Sequence, residues 1–87
     1  MAMVFVPVQL RELTNGRAEV EVAGQTVRDL VAALDGRFPG IAARLCQEGE
    51  LSPALQVSID GVLSRGGLGA RVQAASEVHF LPVFGGG

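Results

Sequence analysis

The stretch that most constrains the fold is Glu77-Val78-His79-Phe80-Leu81-Pro82-Val83-Phe84. Its side chains are mostly apolar and of the kinds that favour strands, so a strand built from it seeks burial on both faces. Such a strand belongs inside a sheet rather than at its edge, and the rest of the chain must supply neighbours on either side. It then runs, without any polar linker, into Gly85-Gly86-Gly87. Glycine combines the least bulk with the most backbone freedom, so three in a row do little to finish a core. They suit a chain end that has to pass through a narrow space. The C-terminal carboxylate is therefore the candidate functional group, with the preceding residues as its handle.

The neighbours of that strand can be read from periodicity. Residues 3–10 are rich in Val and Phe and predict a strand, with Pro7 marking a bulge or an unpaired position. Thr14-Asn15-Gly16 signals a turn, and residues 17–22 alternate so that Ala18, Val20 and Val22 face inward. Two strands joined by a short Asn-Gly-containing loop predict a hairpin. Thr26 is a plausible helix N-cap, with Asp29 three residues on to favour the positive helix end. Val27, Leu30, Val31, Leu34 and Phe38 then form one apolar stripe, with Arg28, Asp35 and Arg37 outside it. Burying five such side chains at ~1.5–3 kcal/mol each is a large share of the favourable term in so small a domain.

Pro39-Gly40 ends that helix, and Ile41 to Leu45 fit a short second one. A polar loop over Gln47 to Ser52 is expected, then a strand with Leu55, Val57 and Ile59 on one face. Asp60-Gly61 is a strong hairpin signal, leading into a short return strand at Val62-Leu63. Residues 65–73 read as a loop in which Leu68 and Val72 tuck into the core. The expected architecture is α+β: a mixed sheet with one main crossing helix and a short second helix, the last strand lying parallel beside the first.

Composition narrows the function. Eighty-seven residues make one domain, here residues 1–84 followed by a flexible glycine tail, 85–87. The net charge is −2, the seven basic residues are all arginine and scattered, and there is no Trp or Tyr, which argues against nucleic-acid binding. Without lysine the chain offers no side-chain amine as an acceptor for isopeptide linkage. A single cysteine excludes an internal disulfide and fits a reducing compartment. The opening Met1 to Val6 is short, lacks a basic start and meets Pro7, unlike a secretory signal, and no run approaches membrane-spanning length. A cytoplasmic protein that engages neither nucleic acid nor membrane is expected.

The chemistry-bearing side chains read blandly. His79 has no Ser, Cys or acid at triad or metal spacing and is expected to be a half-exposed strand residue. Cys46, without a basic neighbour in the sequence, reads as a semi-buried small hydrophobe rather than a sulfur-relay thiol. Asp29 and Asp35 lie six apart, off a common face, and read as solvated charges. Gly61, Gly66, Gly67 and Gly69 lack the Lys-Ser/Thr of a phosphate loop and read as turn glycines. No metal site and no intrinsically bound cofactor is expected. A carboxylate is a poor acyl donor at neutral pH, but coupling to AMP makes a mixed anhydride that a sulfur nucleophile can open to a thiocarboxylate. An end used in that way must thread into another protein's nucleotide site, where side chains at the last two positions would obstruct it.

The whole chain resembles the MoaD/ThiS-like, ubiquitin-like (β-grasp) sulfur carriers. The resemblance is carried by Ser64-Arg65-Gly66-Gly67-Leu68, then Val72, then Glu77 to Phe84 with Leu81-Pro82 just before the glycines. It implies a β-grasp fold and a protein cosubstrate rather than an enzyme. It also implies adenylation of the final residue by an E1-like activating enzyme using MgATP, then conversion to a thiocarboxylate that serves a sulfur-acceptor synthase. That role falls on Gly87, with Gly86 as the second member of the essential pair. By position, Phe80, Leu81, Pro82, Val83, Phe84 and Gly85 would lie at the partner-binding surface.

Two departures stand out. Gly85 replaces the usual small residue before the glycine pair, and Ala75-Ser76 replaces a Gly-Asp, so that turn is expected to form without a positive φ. The segment from Arg37 to Pro53 is longer than in thiamine-pathway carriers. It is more similar to the small subunit of molybdopterin synthase and, a little more closely, to the cysteine-pathway carrier. Two other readings remain open: a ubiquitin-like modifier conjugated through Gly87, and a non-catalytic module binding through its sheet face.

Overall fold

The computed structural model describes residues 1–83; Phe84, Gly85, Gly86 and Gly87, and the expectations placed on them, lie outside the described residues. One five-stranded sheet organises the rest. It comprises β1 (Ala2–Phe5), β2 (Glu19–Val22), β5 (Leu55–Ile59), β6 (Val62–Ser64) and β7 (Glu77–Pro82), in the order β2-β1-β7-β5-β6. β7 is central, parallel to β1 (Val4 beside Val78) and antiparallel to β5 (Val57 beside Phe80). This is the mixed sheet that the two-faced apolar run required. A separate two-stranded ribbon joins β3 (Cys46–Gln47) to β4 (Glu50–Leu51).

Helix α1 (Val27–Arg37) crosses one face of the sheet, and α2 (Ile41–Leu45) follows it. The α1 start is a complete capping box: the Thr26 hydroxyl accepts the Asp29 N–H, and the Asp29 carboxylate accepts the Thr26 N–H. Gly24 is held close over this cap, where an added Cβ would come within 2.7 Å of Asp29 Cβ. Val27, Leu30, Val31, Leu34 and Phe38 are all buried, as the stripe predicts. They meet Val4, Val20, Val22, Val57, Val78 and Phe80 from the sheet, with Leu68 and Val72 closing the side. Burial of this apolar surface is the main force holding the domain together.

Several local expectations are corrected. The first strand ends at Phe5 rather than at residue 10, because the chain turns at Pro7 into a 3-10 helix, Val8–Thr14. Pro7 has no N–H to extend the ladder, and its carbonyl accepts the Leu10 N–H instead. β1 and β2 are therefore joined by that helix and the Asn15-Gly16 turn, not by a short loop. Ala18 is exposed, although its carbonyl still accepts the Val6 N–H. Glu48 and Gly49, expected within a polar loop, take left-handed conformations (φ 55° and 79°) and close the small β3–β4 ribbon. Asp35 is no free solvated charge: its carboxylate accepts the N–H groups of Gly40 and Ala42 and so fastens α1 to α2.

The turn before β7 is a further correction. Ala75 adopts φ 75°, so this turn does use the left-handed region, with an alanine in place of a glycine. The Ala75 N–H donates to the Met1 carbonyl at 2.9 Å, and the Ser76 N–H to the Gln73 carbonyl at 3.0 Å. These bonds hold the residue in a conformation alanine disfavours.

Candidate functional site

Because the last four residues lie outside the described structure, the site is defined by how β7 delivers the chain to them. Hydrogen-bond parity decides which way each peptide group points. The Val83 N–H donates to the Ala54 carbonyl at 2.8 Å, so the odd-numbered residues of β7 turn their peptide groups toward β5. The Met3 N–H donates to the Ser76 carbonyl, so the even-numbered ones turn toward β1. Pro82 belongs to the second set, at a level that β1 never reaches. The missing N–H of Pro82 thus falls where there is no strand to bond, which is how a proline ends a central strand without breaking the ladder.

Side chains alternate across the same strand. Phe80 is 2% exposed and packs into the core, so among the described residues read as partner-facing it is the one that turns inward. Leu81 is half-buried on the outer face, Pro82 is half-buried at the end of the strand, and Val83 is 43% exposed. Phe84 and Gly85 lie outside the described residues.

Phe5, Pro7, Val8, His79, Leu81 and Pro82 line an open, mainly apolar groove of about 260 Å³ at this end of the sheet. The His79 ring stacks flat on Phe5, with centroids 4.0 Å apart and planes within 2°. Arg11 edges the groove, its Nε donating to the Val6 carbonyl at 3.1 Å. His79 is half-buried on a strand, as the sequence suggested, but its packing against Phe5 makes it part of the groove wall. Phe5, Pro7 and Val8 were not read as site residues from the sequence. Their signal was Pro7, which ends β1 and turns Val8 outward, to 71% exposure, beside the end of β7.

Cys46 sits apart, half-buried in β3. Burial pushes its thiol pKa above the ordinary value, against a weaker opposing pull from the Arg28 charge. A thiol so placed is predominantly protonated and a poor sulfur nucleophile, in line with the bland reading. Among the described residues, no group of three or more His, Cys, Asp or Glu side chains is placed to hold a metal ion. No helix among them is long and apolar enough to cross a membrane.

Comparison with known proteins agrees with this architecture along the whole chain. The model of the ThiS family matches residues 4–87. The chain belongs to the ThiS family. Within it, the chain is 28% identical to the sulfur carrier protein CysO of Mycobacterium tuberculosis, over 97% of this chain and 96% of that one. A chain in the crystal structure of the Amycolatopsis orientalis BexX/CysO complex superposes with a TM-score of 0.92 at 34% identity, each chain covered in full. SAMP1 from Haloferax volcanii superposes with a TM-score of 0.73 at 29% identity, covering 99% of this chain and 98% of that one. The fold is the β-grasp of the ubiquitin-like sulfur carriers, and the protein is a carrier of the CysO/ThiS type, a small protein substrate rather than a catalyst.

Proposed function

We propose that the Gly87 carboxylate is activated by an E1-like enzyme with MgATP and converted to a thiocarboxylate, which then gives its sulfur to an acceptor synthase. In the first step a carboxylate oxygen attacks the α-phosphorus of ATP and pyrophosphate leaves. In the second a sulfur nucleophile attacks the acyl carbon, and the C–O bond to AMP breaks. The chain's own part is to present a narrow, extended end, with Gly86 keeping the thread free of side chains. The observation that carries this reading is the geometry of β7. A strand locked into the centre of the sheet ends at Pro82, beside an apolar groove, five residues before Gly87. Leu81, Pro82 and Val83, with Phe5, Val8 and His79, form the surface against which the activating enzyme and the synthase dock in turn. The same partner-contact role is proposed for Phe84 and Gly85. Kinship with proteins named CysO favours the cysteine pathway over the molybdopterin one.

The test is intact mass after incubation with a matched activating enzyme, MgATP and a sulfur donor. The expected product carries one sulfur in place of one oxygen, and a transient AMP adduct precedes it. Deleting Gly87 abolishes both while leaving the urea-unfolding midpoint unchanged. A wild-type chain that acquires neither with that partner overturns the reading. The likeness to SAMP1 of Haloferax volcanii, named small archaeal modifier protein 1, favours a second reading, attachment of Gly87 to amines of other proteins. Reductant-resistant covalent ladders in the host would support it.

A further inference from the structure

The sheet has two free edges, β2 and β6, and the chemistry of the longer one, β2, is legible atom by atom. The Val6 N–H donates to the Ala18 carbonyl at 2.8 Å, and the β1–β2 register places Val4 opposite Val20 and Ala2 opposite Val22. Even-numbered residues of β2 therefore bond to β1, and the peptide groups of Glu19 and Glu21 point away from the sheet. A second observation agrees: the Glu21 carbonyl accepts a hydrogen bond from the Arg37 guanidinium at 2.9 Å, from outside the ladder. Among the described residues the Glu19 N–H, the Glu19 carbonyl and the Glu21 N–H have no protein partner.

A cleft of about 570 Å³ lies along this edge, lined by Met3, Arg17, Glu19, Glu21, Val22, Ala33 and Arg37, among others; Arg17 lies before β2, so a strand added along β2 itself faces the two glutamates directly. A row of unpaired backbone groups beside an open cleft can accept an extended chain as an added strand. We propose that the β2 edge docks an extended segment of a partner protein in which basic residues alternate with apolar ones. Charge and apolar contact select that pattern. On the outer face the added strand lies beside Glu19 and Glu21, both exposed carboxylates, and opposite charges across neighbouring strands attract. On the helix side it lies over Val22 and Ala33, which suit apolar groups. Pairing with a second copy of β2 over its whole length, with Val20 against Val20, is disfavoured because it sets Glu19 against Glu21.

Arg37 is the guard of this edge. Its guanidinium occupies the Glu21 carbonyl and rests 5.4 Å from the centre of the Phe38 ring. An incoming strand takes over that carbonyl with its own N–H and frees the arginine. The site lies on the far side of β1 from the β7 exit, so a partner can hold the carrier here without covering the tail. The proposal does not depend on the fate of Gly87.

A capped octapeptide of alternating lysine and valine tests it against the full chain labelled with ¹⁵N, with a glutamate–valine octapeptide as control. Expected are amide shifts at Glu19, Glu21 and Ala33 with the lysine peptide only, weakening as salt is added. The variants E19K and E21K, which keep the strand pattern, should together weaken the lysine peptide about tenfold and let the glutamate peptide bind instead. R37A should tighten it. Shifts centred on β6 or on the β7 groove, equal binding of both peptides, indifference to charge reversal, or no shift at millimolar peptide would each overturn the proposal.

Discussion

At its Glu77 end β7 is tied on every side, whereas at its Pro82 end the ties fall away one neighbour at a time. Where the strand begins, the Asp60 carboxylate accepts both the Glu77 N–H (2.8 Å) and the Ser76 hydroxyl (2.9 Å). The Ser76 Oγ in turn accepts the Gln73 N–H, and the Met3 N–H donates to the Ser76 carbonyl. Where the strand ends, β1 has already turned away at Pro7, Pro82 has no N–H, and one bond from Val83 to Ala54 closes the ladder. The difference separates two tasks within six residues. One end secures the central strand; at the other, the strand runs out with few ties to its neighbours.

The strongest way to break that comparison is to remove what both ends share. Phe80→Ala leaves a hole beside Val57 and the buried face of α1, and its cost is about 3–5 kcal/mol, read as a lowered urea midpoint. For a domain of this size that is a large fraction of the whole stability. Leu81→Ala, one residue on and on the outer face, costs only a fraction of this but weakens docking to the activating enzyme. Equal destabilisation by the two would mean that the alternation does not divide core from contact surface.

Next in size is the tied end alone. Asp60→Ala strips acceptors from the Glu77 N–H and from Ser76, which is 3% exposed, and should cost about 1–3 kcal/mol. Ser76→Ala breaks the same network, so the double variant should lose less than the sum of the singles. At temperatures where these variants remain folded, sulfur loading of Gly87 should match the wild type. A loading defect that exceeds the unfolded fraction would show that the two ends are coupled.

A smaller effect comes from the same device at the start of α1. The Asp29 carboxylate accepts the Gln25 and Thr26 N–H groups, and the Gln25 bond is the main cause that holds its pKa below the usual carboxylate value. A depressed folded-state pKa contributes stability that is present above the unfolded value and lost as pH falls through the folded one. Acid titration of stability should therefore be shallower for Asp29→Asn than for the wild type below the ordinary aspartate range. Identical slopes would remove Asp29 from the account.

How much of this the sequence could carry follows from the range of each signal. The α1 stripe, the Asp60-Gly61 turn and the tucked Leu68 and Val72 are written in side-chain spacing over a few residues, and they appear as read. The central place of β7 is legible because an apolar pattern on two faces has few homes. The 3-10 helix at Val8–Thr14 is hidden because its Val and Leu residues look strand-like, and only the consequence of Pro7 tells them apart. The groove at the β7 exit needs the relative lengths of β1 and β7, a long-range register that no local pattern contains. The Asp35 bonds to Gly40 and Ala42 likewise depend on how α1 turns into α2.

Ala75 was misread for a different reason: its position was marked by the resemblance, but an alanine gives no warning of a left-handed backbone. It sits within the tied end, at φ 75° and exposed, held by its N–H bond to Met1 and by the Ser76 network behind it. A left-handed conformation costs an alanine roughly 1–2 kcal/mol, and glycine avoids this at an unfolded-state entropy cost of roughly 0.5–1 kcal/mol. Ala75→Gly should accordingly stabilise the domain by about 0.5–1 kcal/mol, since no packed methyl is lost. In a domain of this length that is a rise of about 2–8 °C in Tm, within reach of calorimetry. Because the strain lies at the end of β7 away from the tail, sulfur loading should not change. A destabilised Ala75→Gly variant would mean that the hydrogen bonds around Ser76 are too weak to select the turn by themselves, so that the alanine's narrower choice of conformations in the unfolded chain is what favours it.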